Sequence, residues 1–128
     1  MSETNETLEE ACRTLERLYD DEDPIAGLEQ RRPDGDTVET QATVFGALAN
    51  EHRIRTLEAL REGELCACEV QVVLEAPQST VASHLRTLRD AGLVNSRKKG
   101  KWTYYRIADT AVFELLDLAA AADVPDDD

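Results

Sequence analysis

At Gly92 the chain changes its apolar rhythm, and that change restricts the fold more than any other feature of the sequence. Before it, Val81, Leu85 and Leu88 recur at i, i+4 and i+7, one face of an α-helix running from about Gln78 to Ala91. Gly92 suits the left-handed position that ends a helix. After it, Leu93–Arg97 and Trp102–Ile107, the second rich in aromatic and β-branched residues, flank Lys98-Lys99-Gly100-Lys101, the pattern of a β-hairpin. Upstream, Leu65–Leu74 reads as another helix, with Val70, Val73 and Leu74 as its inner face. Ala76-Pro77 separates the two, because the residue before proline is driven out of the helical region. Two helices joined by a short turn and followed at once by a basic hairpin predict a winged helix-turn-helix.

The rest of the chain is helical in period. Leu8, Ala11, Cys12, Leu15, Leu18 and Tyr19 place an amphipathic helix over residues 4–19, stopped by the acidic run that ends at Pro24. Residues 20–36 hold Pro24, Gly27, Pro33 and Gly35 and read as a linker with at most a short helical turn near Ile25–Leu28. From Thr37, Val38, Ala42, Phe45 and Leu48 line one helical face, and Ile54, Leu57 and Leu60 line the next helix, which breaks at Gly63. A last helix carries Val112, Leu115, Leu116 and Ala119, with Asp109 or Thr110 to cap it. The expected fold is therefore mainly α with a small β-hairpin. It divides into an N-terminal helix and acidic linker (1–36), a winged helix-turn-helix with dimerisation helices (37–122) and an acidic tail (123–128). The apolar faces of residues 4–19 and 110–120 lie outside the winged helix and call for a cover, either a second copy in a homodimer or another part of the same chain.

Charge decides the partner only when it is split by position. The 128 residues carry a formal charge of −13, which taken whole opposes a nucleic-acid partner. Residues 78–106, however, hold seven bases against one acid, a net +6, and the remainder sums to −19. All three lysines fall at 98, 99 and 101, while 12 Asp and 15 Glu dominate elsewhere, a composition expected of an extreme halophile's cytosol. A basic island kept in that background predicts a surface for double-stranded DNA. With Val81, Leu85 and Leu88 inward, Gln78, Ser79, Thr80, Ser83 and His84 are the candidates to read base edges. Arg86 and Arg89 suit phosphates, which position without reading sequence, and Arg97, Lys98, Lys99 and Lys101 of the hairpin are expected along the backbone or the minor groove. In concentrated salt counterion release contributes little, so weak non-specific binding and reliance on residues 78–84 are expected.

No apolar run reaches the roughly 20 residues of a membrane span, and no basic-then-apolar leader opens the chain, so a cytoplasmic protein is expected. Three cysteines make no disulfide framework. Cys66 and Cys68 are the chemically pointed pair, because two thiolates suit soft, thiophilic ions. Side chains at i and i+2 stand about 200° apart on a regular helix, so two sulfurs on one ion need a non-helical or unwound first turn. A redox pair, or two small apolar residues at a helix start, are the alternatives. An enzyme is not expected. The Cys-x5-Arg loop of a phosphatase-like reductase is absent, since Leu18, Val72 and Leu74 stand six places after the three cysteines.

Residues 40–118 resemble the ArsR/SmtB family of metal-responsive winged-helix repressors. The resemblance is carried by Leu48-Ala49-Asn50-Glu51-His52-Arg53-Ile54-Arg55, by Gln78–Leu85 with Ala91-Gly92-Leu93-Val94, and by Arg97–Trp102 with Tyr105-Arg106-Ile107. Glu64-Leu65-Cys66-Ala67-Cys68 resembles the thiolate box by which some members bind arsenite, antimonite or soft divalent metals. It implies a homodimer that represses its own operon, needs no resident cofactor and leaves the operator when such an inducer binds. The further Cys carried by some arsenite-responsive members is Gln71 here, so a third thiolate would fall to Cys12, which simple packing on its apolar stripe explains as well. Residues 109–122 hold no His, which counts against the family's other, last-helix metal site.

Overall fold

The computed structural model describes residues 2–18 and 25–126. Tyr19 and the acidic run 20–24 of the expected linker, and the last two residues of the tail, lie outside them. The elements in order are α1 (Ser2–Leu18), α2 (Ala26–Glu29), α3 (Gly35–Leu48), α4 (Glu51–Ala59), β1 (Leu65–Cys66), α5 (Ala67–Leu74), α6 (Gln78–Asp90), β2 (Val94–Lys99), β3 (Trp102–Ile107) and α7 (Ala111–Ala120). A 3-10 turn, Leu60–Glu62, follows α4. The chain forms two units, one ending at Val38 and one beginning at Glu39. No described helix is long and apolar enough to cross a membrane.

In the first unit α2 supplies the short turn expected near Ile25–Leu28. The Asp34 carboxylate accepts hydrogen bonds from the Thr37 N–H (3.0 Å) and hydroxyl (2.8 Å), so α3 begins at Gly35, earlier than the apolar period indicated. Those two bonds hold the Asp34 carboxyl below its ordinary range.

The second unit has two apolar clusters. One joins Ala47, Leu57, Leu60, Leu88, Leu93, Val94, Val112 and Leu116. The other joins Val70, Leu74, Val81 and Leu85 inside the α5–α6 pair. Leu65 and Tyr105, partners in the β1–β3 register, pack against both. On α3 Ala47 is buried with Val44 and Leu48 half-buried beside it; Val38 and Phe45 of the expected stripe are exposed, Phe45 by 57%. Asn50 caps α4 by accepting from the Arg53 N–H at 3.1 Å. Arg61 binds Glu58 and Asp117 and lies 5.2 Å over the Phe113 ring, fixing α7 to the turn after α4. At the start of α7 the Asp109 carboxylate accepts from the Ala111 N–H.

The segment Leu65–Leu74 corrects a sequence expectation. It is not one helix, because Leu65-Cys66 pairs antiparallel with Tyr105-Tyr104 as an edge strand, and the sheet order is β1-β3-β2. Val70 and Leu74 are buried as expected, whereas Val73 is 46% exposed. Glu75, at φ +52°, makes the left-handed turn into Ala76-Pro77.

The end of α6 follows expectation in detail. Gly92 lies at φ +76°, the Leu93 N–H donates to the Leu88 carbonyl, and the Gly92 N–H donates to that of Arg89. The hairpin is tighter than its composition indicated. Lys98 and Lys99 pair with Thr103 and Trp102 inside the ladder, leaving Gly100, at φ +65°, and Lys101 as the turn.

Candidate nucleic-acid interface and thiol site

α6 buries Val81, Leu85 and Leu88 and leaves Gln78, Ser79, Ser83, Arg86 and Arg89 exposed, with Thr80 half-buried. Gln78, Ser79 and Ser83 thus share an open surface at the amino-terminal half of the helix, and the two arginines follow it. Pro77 precedes α6 in an extended conformation with no side-chain cap.

His84 is placed differently from its neighbours. Its Nδ1 is 3.2 Å from an Arg53 guanidinium nitrogen, and its ring centre is 5.5 Å from that of His52. The Arg53 Nε donates to the Ala47 carbonyl at 2.6 Å, and another guanidinium nitrogen donates to that of Gly46 at 3.3 Å. One cation therefore joins the carboxyl end of α3 to the middle of α6, where the helix dipole favours positive charge. His84 lies in this seam. Sequence reasoning gave Arg53 no role beyond the family resemblance; a partner 31 positions away leaves no periodic signal.

Burial, then the nearby Arg53 and His52, hold the His84 imidazole below the ordinary histidine range. The sign follows from proton uptake. As pH falls below about 6.5 the unfolded chain takes this proton before the folded chain does, so stability is lost on acidification. The melting temperature is expected to fall between pH 7.5 and 5.5, and the fall to be smaller in His84→Gln.

The wing presents Lys98, Lys99 and Lys101 to solvent, and none forms a salt bridge among the described residues. Trp102, the single tryptophan, sits opposite Lys99 and is 52% exposed. Arg97 differs from the lysines. Its Nε donates to Glu64 Oε2 at 2.9 Å, and a second guanidinium nitrogen meets Glu64 Oε1. That pairing holds the Glu64 carboxyl below its usual range, with Lys99 and Arg106 adding their fields. If all three lysines meet phosphates, Lys98→Gln, Lys99→Gln, Lys101→Gln should flatten the slope of log K against log salt by about 2.7. Anisotropy titrations of a random duplex at several salt concentrations measure it, and an unchanged slope would remove the wing from the interface.

Cys66 is the N-cap of α5, extended at φ −80° and ψ 164°, while Cys68 stands in the first turn and is exposed. The two thiols are thus not held at i and i+2 of one regular helix. The Cys66 N–H donates to Glu69 Oε1 at 2.9 Å, and the Cys66 sulfur accepts from the Glu69 N–H, a reciprocal capping box. Hydrogen bonds from the Cys66 N–H and thiol hold the Glu69 carboxyl low. The signal for Glu69 was present in the sequence, since Glu three residues after a cap is a capping-box pattern. Cys12 belongs to the first unit, half-buried on α1 beside Leu8, Glu9 and Arg13. The described residues contain no group of three or more His, Cys, Asp or Glu side chains arranged to hold a metal.

The family model described as bacterial regulatory protein, arsR family, matches residues 50–96, from the cap of α4 into β2. The arsenic resistance transcriptional regulator of Pseudomonas putida is 48% identical over 69 residues, which span 53% of this chain and 54% of that one. A transcriptional repressor SmtB homolog from Synechocystis is 34% identical over 121 residues, covering 90% of this chain and 91% of its own. Among solved structures, a homodimeric winged helix-turn-helix DNA-binding domain from Mycobacterium bovis superposes with a TM-score of 0.65 at 31% identity, over 70% of this chain and 84% of that one. These relatives are regulators of transcription and not enzymes. With its helix-turn-helix, its basic wing and a relative matched along nearly its whole length, the chain belongs to the arsR family of DNA-binding transcription regulators.

Proposed function

We propose that the protein is a cytoplasmic, homodimeric repressor released from its operator by a thiophilic metalloid or metal at Cys66 and Cys68, with arsenite or antimonite favoured. The observation that carries this reading is the position of Cys66 outside α5. An extended cap residue can turn its sulfur toward one in the first turn without unwinding a formed helix. The exposure of Cys68 gives an ion access. For arsenous acid the chemistry balances without redox: two As–S bonds form, two As–O bonds break, and the two thiol protons leave with the displaced hydroxyls as two waters. Cys12 is a candidate third ligand from either protomer.

On the DNA side, Gln78, Ser79, Thr80 and Ser83 read base edges, and Arg86, Arg89, Arg97, Lys98, Lys99 and Lys101 meet the backbone. His84 holds α6 to Arg53 and contributes through that position. The uncovered Phe45 of α3 and Leu118 of α7 supply apolar surface for a second copy, and the Mycobacterium bovis relative is a homodimer.

The test is operator affinity of the reduced protein, on a duplex from its own promoter region, titrated with sodium arsenite, antimonite, cadmium, zinc or peroxide. Arsenite or antimonite should release the wild type and leave Cys66→Ser, Cys68→Ser bound. Release by peroxide alone would establish the redox alternative, and indifference to every addition would remove the sensory role. An unchanged response in Cys12→Ser would exclude Cys12 as a ligand.

A further inference from the structure

We propose that Glu64 is a positioning residue that ties the thiol segment to the wing through Arg97, so that an ion on Cys66 reaches the hairpin directly as well as through α6. The inference rests on the sensory reading of Cys66 and Cys68 given above.

The sheet order β1-β3-β2 gives β1 a ladder to β3 but none to β2. Glu64 spans that gap. It immediately precedes β1, and its carboxylate grips the guanidinium of Arg97 in β2 with both oxygens. Such two-point Arg–carboxylate contacts carry orientation as well as attraction. The register then shows what shares that surface. Cys66 stands opposite Tyr104, and Tyr104 opposite Arg97, so the three form one row across the strands. Side chains alternate along a strand, so Glu64 and Cys66 point to the same face. The opposite face is fixed, because Leu65 and its partner Tyr105 are packed into both apolar clusters.

The consequence is mechanical. Leu65 and Tyr105 anchor the strand pair, so the face that can rearrange when an ion arrives is the one holding Cys66 and Glu64. To share an ion with Cys68, the Cys66 sulfur gives up its place in the capping box with Glu69. The ion and its bonds then occupy the face that Glu64 uses to hold Arg97. The ion pair is exposed and breaks readily in water. Once it breaks, β2 loses its direct tie to the thiol segment, keeping only the one through β3, and the hairpin leaves the pose in which Lys98, Lys99 and Lys101 are presented.

Trp102, the only tryptophan, reports on that hairpin without any DNA present. Sodium arsenite is added to DNA-free wild type, to Glu64→Gln and to the swap Glu64→Arg, Arg97→Glu, while tryptophan emission and thiol occupancy (protection from Ellman's reagent) are followed together. In the wild type the emission should change in step with occupancy. In Glu64→Gln occupancy should be retained and the emission change lost, and the swap, which restores an ion pair, should recover it. Occupancy with no emission change in the wild type, or an equal change in Glu64→Gln, would overturn the role of Glu64 alone. Thiols that stay free in the wild type would overturn the sensory reading and this inference with it.

Discussion

In the Cys66→Ser, Cys68→Ser variant sodium arsenite is expected to leave operator affinity where it was, while the wild type loses about 10⁴-fold. That magnitude is set by the task. Taking an operator from about 99% to about 1% occupied requires a ligand that binds the released state about 5.5 kcal/mol more tightly than the DNA-competent one. Two bonds to a soft ion, formed only when Cys66 leaves its cap, are a source of that order. In the proposed sensor the capping box and the ion would draw on one sulfur, that of Cys66. Serine keeps the cap, because its hydroxyl accepts from the Glu69 N–H as the thiol does, and it does not ligate soft ions. The variant should therefore fold, bind the operator and ignore arsenite. A serine variant that still releases at the same arsenite concentration would place the sensor elsewhere.

Leu85→Ala is expected to cost about 2–5 kcal/mol of stability, a large part of the roughly 5–15 kcal/mol that holds an ordinary domain. Leu85 has no exposed surface and lies in the small cluster with Val70, Leu74 and Val81 that joins α5 to α6. That cluster has few members to close around the missing atoms. The element that this side chain anchors is α6, which the proposed function sets against the operator, so operator affinity should fall together with the urea midpoint. A loss under about 1 kcal/mol would mean that α5 and α6 collapse freely onto the gap, and that the cluster is looser than its burial indicates.

What could be read from the sequence was what is local. Val81, Leu85 and Leu88 with Gly92 specify α6 and its ending, because each needs only neighbours within two turns. The hairpin was legible for the same reason, although the ladder drew Lys98 and Lys99 in from the expected turn. β1 was not legible. A two-residue strand has no period, and it forms only because β3, some forty positions later, offers an edge. The Glu64–Arg97 pair was hidden likewise, so Arg97 read as a free cation when the fold gives it a carboxylate. For α3 the difficulty was of another kind. Val38, Ala42 and Phe45 make a sound apolar stripe, but a stripe does not say whether its own core or another molecule will cover it.

The two apolar clusters differ in how far along the chain their members lie. Val70 to Leu85 is one short stretch, whereas the other cluster must bring Ala47 together with Leu116. Short-range contacts close at little entropic cost and long-range ones wait for the intervening chain. On a ribosome, the four buried members of the α5–α6 cluster are all present once Leu85 has emerged, with Tyr105 of β3 still to join them, while the larger cluster stays open until α7 is made. Throughout that interval Leu88 and Leu93 have no finished cluster to enter. A chain cut short before Leu116 is therefore expected to expose apolar surface next to a helix pair that is already in place, which makes truncation products of this protein natural clients of chaperones.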